Sequence, residues 1–491
     1  MLFLGPMVKI KDEYDVVIIG AGISGLICGC YLSKSRKKVL LVEKNSTVGG
    51  YCSSISRNNF KFNLTTCTLG SLRQEGGVLN KILYKELNLG DKILINRNNP
   101  SNTIVVNDGI FDFDSNGKAL TDSLIRLFPD QSSRIESFIS LLLSASSLEL
   151  YVKYKDLFFG ELLDSYFSNK KLKNFFAIAC NIFGTLPYKI SAFSALIYYR
   201  ETIFDGGYYI PGGIEKLPES LLEEFISNRG VVLLSTKVDR IKIGKDKNIE
   251  SVILSNDKEI KMRHLVSCCD ARETFLNLIG EKKLKKSFIN RIKNMSVTSS
   301  VFIIYLGLKK CLSSEVKKYK SKNIWLAEDY KIEENFYNLE NGKCEINKPK
   351  YLLCNLSSSQ EGSFVDQITI YTLAPFKNES YWSKNKCAIS ESIIERVGNI
   401  IPSIKNNIKT KILVTPIDLY EHTLNFNGAV KGWASTPAQN NPKNIPQGEV
   451  FDNLYTAGQW STLESGQGGI AMASFSGRLA AKAILRNQVR T

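Results

Sequence analysis

The sequence predicts an α/β chain in which a Rossmann-type dinucleotide-binding domain, assembled from discontinuous segments, is joined to an α+β domain carrying a helical cap. Three observations carry that expectation. An apolar strand, a glycine turn and a helix follow one another between Tyr14 and Glu43; a second glycine turn opens a long helix near the other end of the chain; and strand-like and amphipathic helical patterns alternate between them. The 491 residues are enough for two or three structural domains with a sizeable core. A content of 43% hydrophobic and 23% charged residues excludes a disordered chain, and the length excludes a disulfide-stapled miniprotein.

The elements follow in chain order. The opening MLFLGPMVKIKDEYD has a brief apolar stretch, no basic residues ahead of it and no small-residue cleavage pattern, so it reads as a frayed leader rather than a secretory signal. YDVVIIGAGISGLICGCYLSKSRKKVLLVEKN is then a buried strand, a glycine turn, a helix starting near Ile23 and a second strand ending at Glu43. Residues 79–200 are expected to be mostly helical, with amphipathic pieces at 123–127, 135–151 and 171–183, the first two broken apart by Phe128-Pro129-Asp130. A Pro/Gly loop at 208–213 leads into a helix at 216–227 and strands within 231–243 and 249–256. Strand-like runs at 297–308 and 367–373 flank a polar insertion, 330–349, expected to be a loop. The C-terminal part returns to a strand (454–457), a glycine loop and a helix (470–485). The expected division is 1–95, 205–296 and 415–491 for the dinucleotide domain, and 96–204 with 297–414 for the substrate domain.

The 64 Lys and Arg outnumber 48 Asp and Glu, a formal charge of +16 spread over Lys-rich runs such as 282–286 and 317–322. These are read as solvated faces that can also hold the chain near anionic lipid, and no nucleic-acid partner is expected. No uninterrupted apolar run reaches the roughly 18 residues a membrane-spanning helix needs. Eleven scattered cysteines without a C-x-x-C pair, and only two histidines, His264 and His422, point to reduced thiols in a cytoplasmic setting and to no metal site.

The chemistry starts at Gly20-Ala21-Gly22-Ile23-Ser24-Gly25. Gly20 permits a tight turn, Gly22 lets backbone approach a pyrophosphate, and Gly25 lets the helix pack against the strand, while the helix N-terminus offers free N–H groups. Glu43 stands 18 residues after Gly25, where a carboxylate accepts ribose hydroxyls and disfavours a 2′-phosphate, leaving NAD and FAD. Two further features separate these. Gly49-Gly50 lets the chain pass close to an extended cofactor. The C-terminal Ala457-Gly458-Gln459-Trp460 and the glycine turn before Ile470-Ala471 form a second site, expected to share one cleft with the first and to stabilise negative charge on a reduced flavin. NAD requires only the first.

VVIIGAGISGL, VEK with the following GG, YYIPGGIEKLPESL, STKVDRI and AGQWSTLESGQGGIAMASFSGRLAA together resemble the FAD-dependent phytoene desaturase, carotenoid isomerase and retinol saturase group of amine-oxidase-like flavoproteins. The resemblance runs from Tyr14 to about Leu485 and is weakest at 89–199 and 330–349. It implies a glutathione-reductase-like FAD domain with non-covalent FAD: Gly20 to Gly25 on the pyrophosphate, Glu43 at the ribose, Lys44 as a further cofactor-binding residue, Gly49 and Gly50 along the cofactor, the Val238 backbone at adenine, and Gly458, Gln459, Ile470 and Ala471 at the ribityl chain and flavin. Three departures stand out. Gln459 replaces an acidic residue, Tyr51 a basic one, and Phe60-Lys61-Phe62-Asn63-Leu64-Thr65 stands where an aromatic-x-aromatic-Asp-x-Gly pattern is usual, which predicts a different substrate wall.

The resemblance further implies desaturation, saturation or isomerisation of an apolar, polyene or isoprenoid molecule, with peripheral membrane contact. His422 and Glu464 are the candidate proton-transfer residues. Each has a plainer reading, a hydrogen-bonded structural histidine and a solvated loop carboxylate. His264 is expected on a strand edge without a chemical role, and Cys52 as a buried thiol. The aromatics Phe158, Phe159, Tyr166, Phe175, Phe176, Phe183, Tyr198 and Tyr199 are expected to be mainly core, with a minority lining a channel. Two alternatives stay open: an amine or amino-acid oxidase on the same scaffold, and a non-catalytic flavin-holding lipid carrier. Neither the substrate nor the oligomeric state follows from the sequence.

Overall fold

The computed structural model describes residues 10–65, 68–245, 247–312, 315–340, 346, 348–358, 365–440, 450–461 and 469–487. The leader, apart from its last residues, lies outside them. The strand Glu13–Ile19 reads EYDVVII and is buried throughout its apolar half, so it cannot be an edge. It is the centre of a seven-stranded sheet. Val39–Val42 lies parallel on one side of it with Val231–Leu233 beyond, and Glu259–Ser267 lies parallel on the other side, followed by Leu454–Thr456. Val238–Ile243 and Ile249–Leu254 add an antiparallel meander at the lower end of Glu259–Ser267.

The helices Ile23–Lys34 and Gly469–Asn487 cross closely on one face of this sheet. A side chain at Gly477 would place its Cβ 2.2 Å from the Ser24 carbonyl oxygen, so the contact requires glycine. The two glycine-led helices, distant in sequence, thus share one face.

The second sheet is also seven-stranded, in the order Ile408–Val414, Ser300–Leu312, Val365–Ala374, Tyr351–Ser357, Asn323–Ala327, Asn102–Val106 and Gly109–Phe113. Its residues alternate between two covered faces. Phe302, Ile304, Ile368 and Ile370 pack under the helix Glu379–Gly398 through Trp382, Ile389 and Ile393. Ile303, Tyr305, Trp325, Leu353 and Tyr371 face the helices between residues 118 and 204, whose core holds Phe138, Phe159, Phe167, Phe175 and Phe176.

Residues 79–200 are mostly helical, and they also carry a hairpin of Asn102–Val106 and Gly109–Phe113 closed by Asn107-Asp108, with Val106 opposite Gly109. Three expectations are corrected. The 135–151 piece is broken: helix Ser132–Ser144 ends at Ala145, whose backbone is extended, and Ser146 caps helix Ser147–Tyr154 by accepting from the Glu149 N–H at 3.2 Å. Within 330–349 the chain forms helix Ile332–Glu340, because Ile332 and Phe336, one turn apart, are buried in the aromatic core. His264 sits on a central strand, opposite Val16, rather than at an edge. Among the described residues no single helix is long and apolar enough to cross a membrane; the bent pair Pro129–Ser144 and Ser147–Tyr154 passes only when taken together.

Candidate functional site

The first strand delivers the chain to Gly20, whose φ of +97° turns it into the helix at Ile23. A Cβ at Gly25 would lie 2.0 Å from the Gly20 carbonyl oxygen, so Gly25 is required for this turn to close on itself. Gly22 is different. Its φ of −68° suits any residue, and a Cβ added there meets nothing within 4 Å. Bare backbone at Gly22 therefore faces open space, as a pyrophosphate cradle demands.

Glu43, 7% exposed, ends the second strand and holds this turn: Oε2 accepts from the Ala21 N–H at 2.7 Å and Oε1 from the Asn45 N–H at 2.9 Å. A carboxylate has further lone pairs for ribose hydroxyls. The Glu43 carbonyl accepts from the Thr236 N–H at 2.9 Å, which brings the STKV segment and Val238 alongside. Gly49 donates its N–H to the Ala21 carbonyl at 2.8 Å and pairs with Gly22 as an isolated bridge, so the Gly49-Gly50 turn forms the opposite lip.

All of these surround one cavity of about 490 Å³. Gly20, Gly22, Ile23, Ser24, Glu43, Lys44, Gly49, Gly50 and Val238 line its nucleotide half, and Gly458, Gln459, Gly469, Ile470 and Ala471 line the region where the second helix begins. Gly22 and Gly469 thus open onto the same space, and a Cβ at Gly469 also meets nothing within 4 Å. Of the proposed cofactor residues only Ala21 and Gly25 do not line it; they act from behind, through the Glu43 hydrogen bond and the Gly20 contact.

The same cavity is also lined by Val301, Ile303, Trp325, Leu353, Tyr371 and Leu373 of the second sheet and by Ile197, Tyr198 and Leu419. Of the aromatics singled out in sequence, Tyr198 reaches the cavity, whereas Phe159, Phe175 and Phe176 are core. Gly432 docks onto the 458–461 segment: its Cβ would lie 2.2 Å from the Gln459 carbonyl oxygen, and the Trp433 indole donates to the Trp460 carbonyl at 3.1 Å.

His422 lines the cavity with its Nε2 donating to the Gly50 carbonyl at 3.2 Å, and the Asn45 amide donates to the His422 carbonyl at 3.1 Å. Its place is therefore beside the glycine lip. Burial pushes its pKa below the usual histidine value, with the Gly50 carbonyl partly opposing, so the ring is neutral at pH 7. Glu464 lies outside the described residues. Cys52 lines the cavity and is 5% exposed. Of the 60–65 departure, Thr65 lines the cavity, while Asn63 accepts from the Ile214 N–H at 3.1 Å and fixes the neighbouring loop instead. Tyr51 lines the cavity and donates to the Ala429 carbonyl at 3.1 Å.

Sequence reasoning missed Lys431, Trp325 and Tyr371. The last two come from strands of the second sheet. Lys431 had a signal, a lone cation inside the apolar Ala429-Val430-Lys431-Gly432-Trp433 run.

Comparison with known proteins agrees with this geometry. Residues 18–76 match the NAD(P)-binding Rossmann-like domain family. The chain is 22% identical to a 4,4'-diapophytoene desaturase (4,4'-diapolycopene-forming) of Methylomonas sp, over 82% of each chain. It is 23% identical to the chloroplastic prolycopene isomerase of Daucus carota, over 96% of this chain and 79% of that one. Its fold matches cyclohexylamine oxidase from Brevibacterium oxydans with a TM-score of 0.66 at 15% identity, covering 97% of this chain and 99% of the other. A bare-backbone pyrophosphate cradle, a ribose carboxylate and a second helix N-terminus on one cavity fit FAD, which is longer than the first turn alone can hold. The chain is an FAD-dependent oxidoreductase related to carotenoid desaturases, carotenoid isomerases and retinol reductases, and it has the fold of the flavin amine oxidases.

Proposed function

We propose that the chain desaturates, saturates or isomerises an apolar polyene or isoprenoid molecule by a flavin-linked hydride transfer at N5. The observation that carries this reading is the continuity of the nucleotide cleft with a chamber walled by Val301, Ile303, Trp325, Leu353 and Tyr371, side chains that exclude water and grip a long apolar chain through area. FAD, when bound, supplies the two-electron hydride donor or acceptor. Glu43 orients the nucleotide end, and the backbone at Gly20 to Gly25 holds the pyrophosphate. Helix Gly469–Asn487 begins at the same cavity, where its N-terminal N–H groups and partial positive charge would meet the ring end.

The proposed proton-transfer residues are His422 and Glu464. A neutral His422 with Nε2–H on the Gly50 carbonyl leaves Nδ1 as its proton acceptor. The two-domain division at 1–95, 205–296 and 415–491 against 96–204 and 297–414 belongs to the same proposal, and the two separate sheets support it. Peripheral attachment to anionic lipid through the +16 charge is proposed as the route by which an apolar substrate arrives.

The test is expression in a host that accumulates colourless and coloured carotenoid precursors, followed by analysis of extracted lipids. A change in chromophore length or geometry is expected. Unchanged lipids, with peroxide released on supplying amines, would replace this reading with the amine-oxidase one.

A further inference from the structure

The chain leaves the helix Pro416–Thr423 through Leu424, whose φ of +60° is left-handed backbone that a leucine rarely adopts. The next residue, Asn425, is 6% exposed and lines the cavity. Its side chain is bonded at both ends. Oδ1 accepts from the Trp460 indole N–H at 2.8 Å, and Nδ2 donates to the Tyr51 hydroxyl and to the Ala429 carbonyl, each at 3.3 Å. An indole N–H only donates, which fixes Oδ1 towards Trp460 and Nδ2 towards Tyr51.

The two partners come from distant parts of the chain. Tyr51 follows the Gly49-Gly50 lip and Trp460 follows Gly458-Gln459, and both line the cavity. One amide therefore ties the first glycine lip to the segment at the second. The loop that carries it is anchored on every side: the Asn425 N–H donates to Thr423 Oγ1 at 3.2 Å, the Phe426 N–H to Asp270 Oδ2 at 2.7 Å, and the Trp433 indole to the Trp460 carbonyl at 3.1 Å. Strained backbone such as that at Leu424 persists only where its surroundings hold it, and it gathers at sites where geometry matters.

We propose that Asn425 is a positioning residue for the flavin: it sets the spacing between Tyr51 and the Gln459-Trp460 segment, and thereby how tightly the ring end of FAD is held between them. This role requires FAD and is independent of which substrate the chain takes. A side chain without the amide cannot perform it. Leucine has nearly the shape of asparagine, yet it would leave the buried Trp460 N–H without its acceptor and Tyr51 without its link to the far wall.

The test measures FAD affinity of the full chain by equilibrium dialysis, with visible circular dichroism of the bound flavin as a second readout. Asn425→Leu is expected to weaken FAD roughly 10- to 100-fold and to change the flavin dichroism. Because Asn425 and Tyr51 act as one unit, Tyr51→Phe should weaken FAD on its own and add little in the Asn425→Leu background. Additive losses in that pair overturn the proposal. So does an Asn425→Leu chain with a lowered urea midpoint but wild-type affinity and dichroism, the outcome expected of an asparagine that serves packing alone. If Asn425→Leu does not fold, Tyr51→Phe and Trp460→Phe each break one arm of the bridge, and wild-type dichroism in both overturns the proposal. A wild-type chain that takes up no FAD removes the cofactor assignment together with this role, and is recognised before any variant is compared.

Discussion

Glu43 Oε2 accepts the Ala21 N–H at 2.7 Å, tying the carboxylate that ends the second strand to the turn that ends the first. The group expected to receive the ribose therefore also holds the pyrophosphate turn in shape. Glu43→Gln keeps the size but gives up a charged acceptor, a change worth about 1.5–3 kcal/mol per hydrogen bond. FAD affinity should fall roughly 10- to 100-fold, measured by flavin release in equilibrium dialysis. Because the Ala21 contact exists without ligand, the melting temperature of the apoprotein should fall as well.

The second and third glycines of the first turn separate function from folding. At Gly22 an added Cβ points into empty cleft with an unstrained φ, so Gly22→Ala should leave the apoprotein's stability within about 0.5 kcal/mol of wild type and still abolish FAD binding. At Gly25 the same methyl meets the Gly20 carbonyl at 2.0 Å, a backbone contact that cannot move aside. Gly25→Ala should cost about 3 kcal/mol or more in urea unfolding, with loss of FAD as a consequence of the displaced turn.

The legible part of this molecule was the part with short-range rules. Gly20, Gly22, Gly25 and Glu43 are bound by the tight geometry of one strand–turn–helix unit, so their spacing alone places them in that unit. The second sheet obeys no such rule. Asn323–Ala327 is buried at every position and Tyr351–Ser357 nearly so, because helices and the cavity wall cover both faces, which erases the alternation that identifies a half-exposed strand. Its pairing is also long-range: Ile324 lies opposite Thr103. Lys431 was overlooked for a related reason, since Phe183 and Tyr198, the rings its ammonium lies over, come from distant helical segments. The helix Ile332–Glu340 was hidden by its polar composition, Ile332 and Phe336 being the buried side chains among its described residues.

His422 should leave a mark on the pH dependence of stability. Its folded pKa is depressed by burial below the unfolded value of about 6.5, so the unfolded chain takes up a proton that the folded one resists. Stability is unaffected by this group above that pH and falls as pH drops below it. His264 is shifted the same way and Asp270, raised to about 6, in the opposite sense, so the whole profile is a sum. The difference between wild type and His422→Gln isolates the one group. The amide preserves a donor for the Gly50 carbonyl, and the two melting curves should converge at pH 8 and separate at pH 5, with the variant holding up better.

The Arg478 guanidinium donates from Nε to Glu86 Oε2 at 2.5 Å and from Nη2 to Oε1 at 2.6 Å, and the Tyr31 hydroxyl donates to the same carboxylate. One acid thus joins the helix Gly469–Asn487, which opens at the cleft, to the helix Ile23–Lys34, which starts at the pyrophosphate turn. The Arg478 hydrogen bonds, opposed by partial burial, hold the Glu86 pKa down to about 2. A depressed carboxylate contributes its full stability above the unfolded value near 4.3 and loses it as pH falls through the folded value. Glu86→Gln should therefore be less stable than wild type at pH 7 by about 1–2 kcal/mol, the pair being partly solvated. The gap should narrow as pH is lowered from about 4.3 towards 2, read by urea unfolding across that range. A gap that stays constant down to pH 2 would mean that packing, and not the charge on Glu86, joins the two cofactor helices.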